Sequence, residues 1–178
     1  MIAVLLADGF EEIEALTPVD MLRRAGADVV TVGISSDVAT GSHGIKVVCD
    51  KTAAETDPET VDAVIFPGGM PGALNLDASP YTDRVISAVM KKGGRIAAIC
   101  ASPLILGRRG LLEGKRATCY PGFESELKGA IPTGNAVETD GNITTGRSMG
   151  TALEFAKELT ALLCDGEKSS AITKSIVE

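Results

Sequence analysis

The short, almost uninterrupted apolar runs at residues 2–7, 29–34, 63–66 and 95–99 constrain this chain most. A strand wetted on one face alternates apolar with polar residues. A run without that alternation is covered on both faces, as in a parallel sheet sandwiched between helices. Each run is followed by turn chemistry: Asp8-Gly9 after the first, Pro67-Gly68-Gly69 after the third, and Cys100-Ala101-Ser102-Pro103 after the fourth. Helical segments lie between them. Residues 11–25 carry Ile13, Leu16, Val19 and Leu22 at steps of three and stop at Gly26. Pro18 inside that pattern cannot bond the Glu14 carbonyl, so the helix is expected to kink there. A second helix starts with Ser79 as cap and Pro80 in its first turn, and ends at Gly93-Gly94.

The remaining segments read as smaller pieces. Residues 35–49 suggest short strands around a turn at Gly41 to Gly44, and residues 137–145 a hairpin about Asp140-Gly141. A closing helix is expected after a capping box of Thr151 and Glu154, with Leu153, Ala156, Leu159 and Leu162 on one face. Residues 165–178 have room for one more short helix. No linker or repeat interrupts the alternation. Residues 1–178 therefore read as a single α/β domain, a doubly wound and mostly parallel sheet with helices on both faces.

Composition agrees and narrows the function. Apolar residues make up 44% and aromatics 3%, with no Trp and 20 glycines, which suits a sheet packed with small aliphatic side chains. A net charge of −7 disfavours nucleic acid and anionic membrane as partners. Cys49, Cys100, Cys119 and Cys164 are scattered without a CxxC pair, so neither a disulfide framework nor a metal site is expected, and a reduced cytoplasmic setting is. Met1 runs straight into the first apolar run without a basic segment, so no signal peptide is expected.

Ligands of such sheets bind beyond the carboxyl ends of the strands, where Asp8-Gly9, Pro67-Gly68-Gly69 and Cys100 should meet. Cys100 lies on a strand-to-helix turn flanked by small residues, Ala98 and Ser102, as a sharp elbow demands. The helix behind it should favour thiolate. The same pattern also fits a small core cysteine. The amides of Gly69 and Ala101 would form an oxyanion hole, with Gly68 allowing close approach. Of Glu11, Glu12 and Glu14 at the helix start, Glu11 and Glu12 are expected to be solvated. Glu14, partly buried beside the thiol, would have a raised pKa and move a proton near neutrality.

The segments Asp8-Gly-Phe-Glu-Glu-Ile-Glu14, Pro18-Val-Asp-Met-Leu-Arg-Arg-Ala-Gly26, Phe66-Pro-Gly-Gly69, Ala97-Ala-Ile-Cys-Ala-Ser-Pro103 and Thr145-Gly-Arg-Ser-Met-Gly-Thr151 resemble the ThiJ/PfpI superfamily. The most similar branch is that of the parkinsonism-associated deglycase and its bacterial ThiJ relatives. The resemblance implies a flavodoxin-like fold, a homodimer, and an oxidation-prone elbow cysteine. It makes Cys100 the nucleophile and Glu14 its partner carboxyl. Many relatives carry a His after the nucleophile strand, where this chain has Tyr120. The only His, His43, lies in the Gly-rich turn, and with Tyr120 and Arg147 it is a candidate for the pocket. Ser148-Met149 replaces a common Gly-Pro. Without the His, peptide hydrolysis and glutamine amidotransfer are disfavoured.

Two functions are expected from one site. The first is a glutathione-independent glyoxalase or deglycase acting on small carbonyls, without metal or organic cofactor. The second is a redox sensor or stress-linked holdase that signals by oxidation of Cys100.

Overall fold

A computed structural model describes residues 1–164 and 166–176. In chain order the elements are β1 (Ile2–Leu6), α1 (Glu12–Arg24), β2 (Val29–Gly33), β3 (Val38–Thr40), β4 (Lys46–Val48), β5 (Lys51–Thr52) and β6 (Ala63–Phe66). They continue with α2 (Gly72–Asp77), α3 (Pro80–Lys91), β7 (Arg95–Ile99), α4 (Pro103–Arg108), β8 (Arg116–Ala117) and β9 (Ile131–Pro132). The hairpin β10 (Val137–Asp140) and β11 (Ile143–Gly146) then leads into α5 (Ala152–Leu163) and α6 (Gly166–Ser175). Of the expected last helix, Asp165, Val177 and Glu178 lie outside the described residues.

The main sheet has the order β10-β11-β7-β6-β1-β2-β5, parallel throughout except for β10 against β11. Its parallel core, β2-β1-β6-β7-β11, is the flavodoxin-like 2-1-3-4-5 order. The chain runs outward from β1 to β2 and then returns to β6 on the other side of β1. The loops diverge at that switch and open a crevice.

The apolar runs are buried on both faces because successive side chains point to opposite layers. Ile2, Val4 and Leu6 of β1 pack with Ala15, Val19 and Leu22 of α1 and Phe155 and Leu159 of α5. Ala3 and Leu5 face the other layer, with Leu76 of α2, Val85 and Val89 of α3, and Leu104 and Leu106 of α4. Burial at this scale, roughly 1.5–3 kcal/mol per large aliphatic side chain, is what fixes the register of each strand.

Several local expectations need correction. In α1 the buried stripe is Ala15, Pro18, Val19 and Leu22, while Ile13 is 49% exposed and Leu16 also faces outward. A step of three drifts off a 3.6-residue helix, so Ile13 and Leu16 leave the stripe. The same drift exposes Leu153 in α5, where Phe155 takes the buried position. The α5 cap Thr151 makes no side-chain cap bond, and the capping box instead joins Ser148 and Thr151 around the preceding 3-10 turn. Asp140 pairs with Ile143, which puts the hairpin turn at Gly141-Asn142, one residue later than expected, with Gly141 at φ 65°. The six-residue α2 was not expected from the sequence.

Candidate active site

Cys100 follows β7 directly and is the only non-glycine residue with positive φ, 66°, among the described residues. Backbone bonds hold it there. Its N–H donates to the Gly146 carbonyl at 2.9 Å, and its carbonyl accepts from the Tyr120 N–H at 2.8 Å. The buried Ser102 hydroxyl donates to the Pro67 carbonyl at 2.5 Å, tying the elbow to the turn after β6. A strained left-handed cysteine costs about 1–3 kcal/mol and persists because these neighbours over-determine it.

Glu14 reaches the same point from α1. It is completely buried. Its Oε2 accepts the Gly68 N–H at 2.9 Å, whereas the buried Oε1 has no hydrogen-bond partner of good geometry among the described residues. Leaving a buried acceptor unpaired costs about 1–3 kcal/mol, so this oxygen marks a place where a proton can sit. Gly68 separates the two side chains. A Cβ there would stand 2.5 Å from Glu14 Oε2 and 2.7 Å from Cys100 Cβ, so only glycine lets thiol and carboxyl share the corner. Gly69, at φ 86°, turns the chain beside them, and its amide and that of Ala101 donate toward the Cys100 sulfur.

The electrostatics follow from this geometry. Burial pushes the Glu14 carboxyl up to about 7; the Cys100 thiol and the Gly68 and Met149 amides oppose the rise, and the charge of Glu11 adds to it. Burial also pushes the Cys100 thiol up to about 12, reinforced by the Glu14 charge and hydrogen bond and resisted by the Ala101 and Gly69 amides. This overturns the expected low-pKa thiol. The α4 helix behind Cys100 spans only Pro103–Arg108, and its dipole is outweighed by desolvation and a neighbouring carboxylate. Between about 7 and 12 the pair holds one proton between sulfur and carboxyl, and below that range two.

A cavity of about 170 Å³ opens over the thiol, lined by Gly69, Met70, Cys100, Ala101, Tyr120 and Phe123. Tyr120 and Phe123 meet edge to face with ring centres 6.3 Å apart. Tyr120 thus belongs to the pocket, as do Gly69 and Ala101. Gly68 lies behind it, between Glu14 and Cys100. His43 and Arg147 do not line it. Arg147 is exposed, its N–H bonded to the Ala136 carbonyl. The His43 side chain is 72% exposed, and its Nδ1 lies 2.9 Å from Glu12 Oε2.

Glu12 is the residue that sequence reasoning misplaced. It is only 3% exposed, with Oε1 accepting the His43 N–H at 2.8 Å. Burial alone would raise its carboxyl, but the bonds from His43 and the Ile45 amide prevail and hold it at about 2. One ligand atom each of Glu11, Glu12 and His43 lies within 4.8 Å of the others, a grouping that the Glu12–His43 ion pair accounts for. Met70 and Phe123 were also missed. Neither carries a periodic signal in the sequence.

Residues 1–162 match the DJ-1/PfpI family along almost the whole chain. The chain belongs to that family. It is 37% identical to protein DJ-1 homolog B of Arabidopsis thaliana over 97% of this chain, although it spans only 40% of that relative's length. It is 31% identical to a deglycase of Pyrococcus abyssi, covering 91% of this chain and 98% of the relative. It is also 31% identical to a glutathione-independent glyoxalase of Caenorhabditis elegans, covering 93% and 89%. The solved structure of oxidized Toxoplasma gondii DJ-1 superposes with a TM-score of 0.93 at 34% identity, over 99% of this chain and 97% of that one. The architecture is therefore that of DJ-1 superfamily proteins. No helix among the described residues is long and apolar enough to cross a membrane.

Proposed function

We propose that this protein is a cysteine-dependent enzyme acting on small reactive carbonyls, turning a dicarbonyl such as methylglyoxal into its hydroxy acid or releasing such a carbonyl from an amine or thiol adduct. The observation that carries this reading is the fully buried Glu14 carboxyl, with one oxygen lacking a partner of good geometry, beside the Cys100 thiol and its two donor amides. The deglycase and glyoxalase relatives fit it.

Glu14 takes the thiol proton as sulfur bonds to the aldehyde carbon, and the carbonyl electron pair moves onto oxygen. The Gly69 and Ala101 amides hold that oxyanion until it takes the proton back from Glu14, giving a hemithioacetal. Glu14 then removes the hydrogen of that carbon and returns it to the neighbouring carbonyl carbon, while the hydroxyl proton passes to that neighbour's oxygen. The result is a thioester of the 2-hydroxy acid. Water breaks the C–S bond, releasing the acid and restoring the thiol. One carbon is oxidised and its neighbour reduced within the same molecule, so the step balances with water alone. The raised thiol makes Glu14 indispensable, because sulfur becomes nucleophilic only when the carboxyl accepts its proton.

Amide cleavage is disfavoured. His43 is occupied by Glu12, and Tyr120 stands where a His would protonate a departing amine. The second reading, a redox sensor or holdase signalling through oxidised Cys100, uses the same amides. It ranks second because the relatives named for an activity are a deglycase and a glyoxalase.

The test is dicarbonyl consumption without glutathione, run beside a peptidase assay on purified protein. Slow hydroxy-acid formation that disappears in Cys100→Ser is expected. Peptidase turnover without dicarbonyl consumption overturns the proposal.

A further inference from the structure

The cavity over Cys100 contains no charged side chain among its lining residues, and Met70, Tyr120 and Phe123 form its walls. Acidic groups stand close to it. Glu14 lies behind the thiol, Glu11 acts on Glu14, and Glu124 acts on Cys119, the residue before Tyr120. Of the sequence candidates for a cation, His43 bonds Glu12, and Arg147 is exposed and does not line the cavity. An anionic ligand here would lose its water, gain no counter-charge and face carboxylates. An apolar substituent would instead exchange water for a thioether and two aromatic rings.

We propose that this cavity selects uncharged carbonyl compounds bearing an apolar substituent, with Tyr120 and Phe123 as the residues that set the preference. The inference rests on the reading of Cys100 as a carbonyl nucleophile. It also gives the reaction a direction. The substrate enters neutral, but the product is a carboxylate formed beside Glu14 with no cation to hold it, so it leaves readily and anionic carbonyls are turned away.

The test compares phenylglyoxal, glyoxal and glyoxylate at neutral pH. Phenylglyoxal should exceed glyoxal in kcat/KM by about tenfold, and glyoxylate should fall about tenfold or more below glyoxal. Phe123→Ala should bring the phenylglyoxal-to-glyoxal ratio toward one, and Phe123→Arg should raise the rate with glyoxylate. A preference for glyoxal over phenylglyoxal, or equal rates for glyoxal and glyoxylate, overturns the proposal. A second measurement does not depend on turnover: mass spectrometry of Cys100 labelling by neutral iodoacetamide and anionic iodoacetate, each normalised to free cysteine. Cys100 should favour iodoacetamide about tenfold more than free cysteine does. An unchanged ratio overturns the selectivity even if carbonyls are consumed. If no carbonyl is consumed but the labelling ratio is as expected, the selectivity stands and the carbonyl-enzyme reading falls.

Discussion

Glu12 and Glu14 stand two residues apart in the first turn of α1, both almost wholly buried, and they titrate in opposite directions. Glu12 points at the loop between β3 and β4, where the His43 side chain and amide satisfy both of its oxygens and hold it at about 2. Glu14 points at Gly68 and Cys100, receives one good backbone bond, and is pushed up to about 7. Both are closed off from solvent, but Glu14 lies deeper in the protein and meets fewer donors, and the two differences together set the outcome. One carboxylate fastens a loop. The other is left with a proton to move.

The largest expected effect breaks this symmetry at the chemistry. Glu14→Gln should lower kcat/KM for methylglyoxal by about 10²–10⁴-fold, while Glu12→Gln should change it only a few-fold. In the native protein kcat/KM should rise with pH through about 7 as Glu14 becomes able to accept the thiol proton, and this limb should vanish in Glu14→Gln. Equal losses in both variants, measured by steady-state kinetics, would erase the distinction.

Stability should separate the two next. The folded Glu14 carboxyl lies above its ordinary 4.5, so its favourable contribution is complete below 4.5 and is lost as pH rises through about 7. That loss is about 3 kcal/mol at pH 8, and Glu14→Gln should therefore be more stable than the native protein there in urea melts. Glu12 has the opposite sign. Its contribution is present above 4.5 and is lost as pH falls toward 2. Glu12→Gln should destabilise by about 1–2 kcal/mol near neutrality, discounted because its His43 partner is exposed.

The smallest effect sharpens the loop side. His43 is raised by its hydrogen bond to Glu12 and then by the Glu12 charge, so its contribution is present in mildly acid solution and fades as pH rises through that raised value. His43→Ala should lower Tm slightly at low pH, less so in alkali, and leave carbonyl turnover unchanged. A large loss of turnover would place His43 at the reaction after all.

Much of this was legible in the chain, for physical reasons. Short apolar runs bounded by turn residues read as strands covered on both faces, and the glycines and small residues after them brought Gly68, Gly69 and Cys100 to one edge. Glu14 was marked by Pro18 four residues on. Glu12 carried no such mark, because its fate is set by His43, 31 residues away across a loop. The Cys100 titration was misread for a related reason. A helix dipole is visible in local sequence, but desolvation by a folded neighbourhood is not. The six-residue α2, at the edge of the same crevice, has no side-chain cap bond and too few residues to show a period.

The account turns on Glu14 as the proton carrier for Cys100, and a carboxyl carbon-13 NMR titration of the native protein labelled at glutamate tests it most directly. The account predicts one glutamate with a midpoint near 7 that is missing from the spectrum of Glu14→Gln, and another near 2 that is missing from Glu12→Gln. Both carboxyls titrating together in the ordinary range around 4.5 would contradict it.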